Sequence, residues 1–207
     1  MRNVGVVLAG FGMGVGLAAC GGSAEKPAAQ TATATAAATQ KASSTPKAGG
    51  AAAKPGAKLS VGETAHVKVK PLNPSNGKKT YKIDAVVLKI EKGTLDDFKN
   101  VKLDAKDKKS TPYYVTVRLT SPGGEIPVKD DDPDIRFDGI DDRGQEQGNV
   151  TFFGTFDRCD DKEAPAPFVK GKSYESCLTY LVPGGGSIDE VRWSGSDAYL
   201  SKPVSWK

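Results

Sequence analysis

Tyr113-Tyr114-Val115-Thr116-Val117-Arg118-Leu119-Thr120 is the stretch whose pattern decides the fold. Tyr113, Val115, Val117 and Leu119 alternate with Tyr114, Thr116, Arg118 and Thr120. A period of two puts the first set on one face of a strand and the second on the other, so that one face packs on a core and the other meets water. The same period recurs at Ala65, Val67 and Val69, set among Thr64, His66, Lys68 and Lys70, and at Leu178, Tyr180 and Val182, set among Cys177, Thr179 and Leu181. Turn formers separate these runs: Pro71-Leu72-Asn73-Pro74, Ser121-Pro122-Gly123-Gly124, Asp142-Arg143-Gly144 and Pro183-Gly184-Gly185-Gly186. Further strands are expected at Tyr81–Ile90, Ile135–Ile140, Asn149–Phe156, Glu190–Trp193 and Val204–Trp206. About seven short strands punctuated by turns predict an all-β chain folded as an antiparallel β-sandwich.

Two segments are less regular. Tyr81, Ile83, Ala85 and Val87 share one face, while Val86, Leu88 and Ile90 share the other. Either both faces are covered there or a bulge near Ala85 exchanges them. Between Thr94 and Asp107 the pattern fades, and a short helix is expected over Leu95–Lys99.

Composition sets the domain limits within the 207 residues. From Gly21 to Lys58 the chain is almost entirely Ala, Thr, Ser, Gly, Pro, Gln and Lys, with no aromatic residue and no Leu, Ile or Val. Such a segment buries too little apolar surface to offset the entropy of ordering it, so residues 20–58 are expected to be a disordered tether. A coil of that length spans ~35 Å r.m.s., and at full extension at most ~130 Å. Residues 59–207 are left as a single sandwich domain, large enough to bury ~70% of its unfolded surface.

The formal charge of +4 comes from the N-terminal part. Arg2, Lys26, Lys41, Lys47, Lys54 and Lys58 stand there against Glu25; removing these six and one from 29 basic and 25 acidic residues leaves 23 and 24. The domain is close to neutral and carries no basic footprint for nucleic acid.

Met1-Arg2-Asn3 gives a short positive start, and Val4–Gly16 is an apolar run without a charge. A run of that length is short for a membrane span and reads as the core of a secretory signal, placing a signal peptide at residues 1–19. Leu17-Ala18-Ala19-Cys20 follows and resembles the lipobox of bacterial lipoproteins. That resemblance implies a diacylglycerol joined to the Cys20 sulfur, cleavage before Cys20, and a membrane partner held through the lipid, with stable anchoring by two or more acyl chains.

The second half of the chain resembles a known domain type. Asp141-Asp142-Arg143-Gly144, an aromatic segment, Val169-Lys170-Gly171-Lys172 and Leu178-Thr179-Tyr180-Leu181-Val182-Pro183 are similar to the telokin-like, immunoglobulin-type sandwich of Gram-positive lipoproteins, a domain of unknown function. The resemblance spans Val61 to Trp193 and implies an immunoglobulin-like fold outside the cytoplasm, with no catalytic residues to carry over. Two features depart from the simplest pattern: the cysteines of the domain and its Asp-rich stretch.

Cys159 and Cys177 are the cysteines of the folded part, and on the outer side of a lipobox they are expected to form a disulfide. Cys177 shares the outward parity with Glu175 and Thr179, and Cys159 shares it with Thr151, Thr155 and Asp157. Both are therefore placed outward on adjacent antiparallel strands, with Cα atoms ~5.5 Å apart. A zinc site and a redox-active pair are the alternatives, without a Cys-x-x-Cys or a nearby His to favour them. Asp130, Asp131, Asp132, Asp134, Asp138, Asp141 and Asp142 crowd one stretch. Such carboxylates form a solvated acidic loop, a calcium site or a contact for a basic partner; the calcium candidates are Asp130, Asp132, Asp134 and Asp138.

Catalysis has little to build on. His66 is the one histidine and falls on the polar face of its strand, with no Gly-x-Ser-x-Gly in the chain. No cofactor and no enzymatic activity are expected, although a glycosidase carboxylate pair is left open by the many acids. Tyr114 and Phe153 fall on nominally outward faces and either pack under loops or belong to a binding surface. The resulting expectation is a lipid-anchored, non-catalytic module that binds an envelope protein or a wall polymer. An accessory subunit of a membrane complex and a wall hydrolase stand as alternatives.

Overall fold

The structure is a computed structural model and describes residues 51–70, 80–123, 125–126, 136–152 and 156–207. Eleven strands run through them: β1 (Lys58–Leu59), β2 (Thr64–Val69), β3 (Tyr81–Lys92), β4 (Ser110–Thr120), β5 (Glu125–Ile126), β6 (Phe137–Asp141), β7 (Glu146–Gln147), β8 (Phe168–Val169), β9 (Ser173–Pro183), β10 (Ile188–Trp193) and β11 (Val204–Trp206). β2, β3, β4, β6, β9, β10 and β11 are longer than two residues and lie at seven of the eight expected positions. The described helical pieces include 3-10 turns over Leu95–Phe98 and Asp107–Lys109 and the short helix α1 (Asp197–Leu200).

The strands form two main sheets, ordered β2-β3-β4-β9 and β1-β11-β10-β6-β7, with a small β5-β8 pair beside them. Pairing is antiparallel except between β1 and β11. β4 pairs with β9 along its whole length, from Ser110 opposite Pro183 to Thr120 opposite Ser173. The alternating residues place the core. Val67, Ile83, Val115, Val117, Leu119 and Tyr180 of one sheet meet Phe137, Val191, Trp193 and Trp206 of the other. Burying a single Val or Leu side chain stabilises by roughly 1.5–3 kcal/mol. The polar tips of the large aromatics are satisfied as they go under. Tyr180 Oη donates to the Phe137 carbonyl at 3.0 Å, and Trp206 Nε1 donates to that of Glu63 at 2.9 Å. The all-β sandwich expected from the alternation is the fold of this chain.

The parity change in β3 is a bulge. Its register against β4 slips between Val87 and Lys89, leaving Leu88 without a partner. Odd residues through Val87 face the core, and Ile90 packs against it beyond the slip. The bulge sits three residues past Ala85, because Val86, on the opposite face, is also buried and hides the point of exchange.

Two expectations need correction. No strand forms over the described part of Asn149–Phe156. Val150 donates its N–H to the Thr179 carbonyl at 2.8 Å without starting a ladder along β9. Val150, Phe152 and Phe156 then pack on a second apolar cluster outside the sandwich core, so their spacing reflects that cluster rather than a ladder. Residues 53–58, expected to belong to the tether, are instead bonded to the domain. Ala53 N–H donates to the His66 carbonyl at 2.7 Å, Gly56 N–H to that of Lys202 at 2.7 Å, and Ser205 N–H to that of Ala57 at 2.9 Å. Ala53 and Ala57 also pack against the core, and Lys58 already belongs to β1.

Candidate functional site

Among the described residues, a candidate site lies on the outer face of the β2-β3-β4-β9 sheet, where it meets the chain around Arg158. The outward residues of β9 are Glu175, Cys177, Thr179 and Leu181, and those of β4 at the same height are Tyr114 and Thr116. Cys177 is bonded to Cys159, with Cα atoms 5.1 Å apart. The expected disulfide is present, but it joins a strand to a turn rather than two ladder strands, since residues 157–158 form a turn.

The bridge and its surroundings close a small outer cluster of Phe98, Tyr114, Phe156, Cys159 and Leu181, with Val150 and Phe152 partly buried against it. Phe156 is its centre, with ring centroids 4.8 Å from Phe98, 4.7 Å from Phe152 and 6.0 Å from Tyr114. Tyr114 is 2% exposed, so at this residue the packing alternative holds and its ring is not a free binding surface. Its Oη donates to Asp97 Oδ2 at 2.9 Å. Burial first, then the Asp97 carboxylate, push the phenol well above its ordinary value. Gly93 makes room for this ring, because a Cβ there would overlap it.

Beside the cluster is an open hollow of about 290 Å³ whose walls include Lys89, Glu91, Tyr114, Arg158, Glu175 and Cys177. The Arg158 guanidinium lies 4.6 Å from the Tyr114 ring centroid and 3.1 Å from Glu91 Oε2; Lys89 Nζ reaches the same oxygen at 2.8 Å. Hydrogen bonds from Lys89 and then Arg158 hold the Glu91 carboxyl below its ordinary range. Both signs of charge are present, with Arg158 covering the Tyr114 ring. Arg158 and Glu91 were missed in the sequence, where the one pointer was the position of Arg158 next to a bridging cysteine.

The other candidates lie elsewhere. Cys20, Phe153, Asp130, Asp132 and Asp134 fall outside the described residues. Asp138 is on β6 opposite Arg192 of β10, half-buried. Burial and then Glu146 raise its carboxyl above the ordinary value. Among the described residues no group of three or more His, Cys, Asp or Glu is placed to hold a metal ion. His66 pairs across the strands with Asp84, Nδ1 to Oδ1 at 2.6 Å.

The Asp141-Asp142-Arg143-Gly144 stretch builds a turn. Asp141 Oδ1 accepts the backbone N–H groups of Arg143 at 3.0 Å and Gln145 at 2.8 Å. Its Oδ2 accepts Arg143 Nη2 at 2.6 Å and Gln147 Nε2 at 3.1 Å. Burial pushes this carboxyl up, and the hydrogen bonds from Gln145 and Arg143 outweigh it, leaving it below the ordinary range. Arg143 Nη2 also donates to the Pro183 carbonyl at 3.1 Å, tying this turn to the end of β9.

No family model matches the chain, and no curated protein does. Among solved structures, the crystal structure of MPT63, a secreted protein from Mycobacterium tuberculosis, aligns with 72% of this chain and 95% of its own, at 10% identity and a TM-score of 0.47. Among the described residues no helix is long and apolar enough to cross a membrane. At the level the structure carries, the chain is an all-β sandwich with a disulfide-fastened outer face.

Proposed function

We propose that this chain is an exported, lipid-anchored protein whose sandwich is a non-catalytic binding module of the cell envelope. The observation that carries the reading is a bonded Cys159–Cys177 pair in a chain that begins with a charged start, an apolar run and Leu17-Ala18-Ala19-Cys20. A structural disulfide and a lipobox both belong outside the reducing cytoplasm. The binding surface in this reading is the hollow around Arg158 and Glu91, where Arg158 lies over the Tyr114 ring and pairs with Glu91. Such a surface suits a polar partner, protein or wall polymer, better than an apolar ligand.

Co-sedimentation of the full-length protein with isolated wall material and with envelope membranes, compared with Arg158→Glu, tests the surface. The substitution reverses the charge over Tyr114 and sets it against Glu91, so retention on one of the two fractions falls. Equal retention of the variant on both removes the hollow from the proposal.

A further inference from the structure

β9 is the edge strand of its sheet, paired on one side with β4 along all of its length. On the other side its backbone groups are met by chain that forms no strand. Val150 N–H donates to the Thr179 carbonyl at 2.8 Å, Thr179 N–H to Asn149 Oδ1 at 3.0 Å, and Cys177 N–H to the Asp160 carbonyl at 3.2 Å. Residues 149–152 and 156–161 thus cover the edge from Cys177 to Thr179, and the Cys159 bridge fastens them to the strand they cover.

The strand so covered is Ser-Tyr-Glu-Ser-Cys-Leu-Thr-Tyr-Leu-Val-Pro, whose one charge is Glu175. Long, nearly uncharged strands rich in aromatic and apolar residues pair readily with copies of themselves when their edge is open. Strand edges are commonly blunted by charge, proline or a covering segment. Here the covering segment makes two backbone hydrogen bonds and one through the Asn149 side chain to the edge, and packs on an outer cluster separate from the sandwich core. Segments of that kind open with far lower free energy than the core. The covalent bond closes that difference.

We propose that the Cys159–Cys177 bond is a latch on this cover, and that cleaving it turns the edge of β9 into a pairing surface for β9 of a second copy of the chain. The second copy is singled out by the strand's own sequence. Antiparallel self-pairing about Thr179 sets Cys177 opposite Leu181 and Glu175 opposite Pro183, so the one charge of the strand never faces its like. Thr179 and Leu181, now buried under the cover, supply the contact. Opening requires a reductant of the dithiol class. Its two thiols become a disulfide, while the sulfurs of Cys159 and Cys177 take up two electrons and two protons and leave as thiols.

The test compares the full-length protein in detergent with the Cys159→Ser/Cys177→Ser double variant and with wild type treated with a dithiol. In dilute samples, amide exchange at Cys177 and Thr179 is expected to rise about ten-fold or more. In concentrated samples, light scattering is expected to show a dimer. Emission of the buried Trp193 and Trp206 stays unchanged, reporting an intact core. Adding Thr179→Lys to the double variant sets like charges opposite each other on the two-fold and restores the monomer. A double variant that stays monomeric with both amides protected overturns the proposal. So does loss of the buried tryptophan emission, which would make the bond part of the core's own integrity, and so does a dimer that Thr179→Lys leaves untouched.

Discussion

The backbone N–H of Ala53 donates to the carbonyl of His66 at 2.7 Å, so chain lying ahead of the first strand caps the edge strand β2. Tyr199 Oη donates to the Ala53 carbonyl at 2.8 Å, so both backbone groups of this residue are held. Deleting residues through Lys58 removes these bonds together with those of Gly56 and Ala57. At about 1 kcal/mol for each hydrogen bond, a chain starting at Leu59 should be ~2–4 kcal/mol less stable to urea than one starting at Ala51. Equal midpoints would show that this stretch is carried by the domain without supporting it.

Anchoring is tested at Cys20. Cys20→Ala should block acylation, leaving an uncleaved precursor or releasing the protein from membranes. Detergent partitioning with mass spectrometry of the N-terminal peptide reads the result, and a mature, unacylated N-terminus in wild type would remove the anchor from the proposal.

Asp138 gives a pH test. Its carboxyl is raised in the folded state by burial and by Glu146. An acid with a raised folded value penalises folding once the pH climbs above its unfolded value, near 3.9, and the full penalty is present above the folded value. Asp138→Asn should therefore stabilise at neutral pH, by less than about 1 kcal/mol because the site is only half buried, and the gain should vanish on acidification. If Asp138 served a calcium site, adding calcium would reverse the sign and make the substitution destabilising.

Asp141 runs the other way. Its carboxyl is held low despite burial, by hydrogen bonds from Gln145 and Arg143. A depressed folded value adds stability that is present above the unfolded value and lost as the pH falls through the folded one. Asp141→Asn should lower the thermal midpoint at pH 7, and the difference from wild type should shrink as both are taken below pH ~4. A gap that stays constant with pH would assign the loss to turn geometry alone.

Gly93→Ala should cost about 1–3 kcal/mol, since the added methyl meets the Tyr114 ring. Urea unfolding measures the loss. Pairing it with Tyr114→Ala in a double-mutant cycle should recover most of it, because the ring that refuses the methyl is then gone.

The strands at Tyr113–Thr120 and Leu178–Val182 were legible because a one-sided face imposes its period on the residues directly. The position of the β3 bulge was not, because Val86 and Val87 are both buried although they point to opposite faces. Asn149–Phe156 read as a strand because Val150, Phe152 and Phe156 keep a two- and four-residue spacing. What they cover is built by Phe98 and Tyr114, and nothing in the local sequence announces that distant cluster. Ala53–Ala57 looked like tether because composition reports side chains, whereas that segment is held mainly through its main chain. The pairing of Cys159 with Cys177 followed from compartment and count; the Arg158–Tyr114–Glu91 arrangement needed the folded chain to be seen.

The parallel pairing of β1 with β11 gives the chain a timetable. Lys58 and Leu59 find Ser205 and Trp206 as partners, and the Trp206 indole closes on the Glu63 carbonyl across 143 residues of sequence. Neither early strand nor neighbouring edge is complete until β11 has been made. Contacts so distant along the chain form late and slowly. The sheet that carries β1 therefore closes only through contacts between segments far apart in sequence, and its completion comes after the hairpins that pair near neighbours.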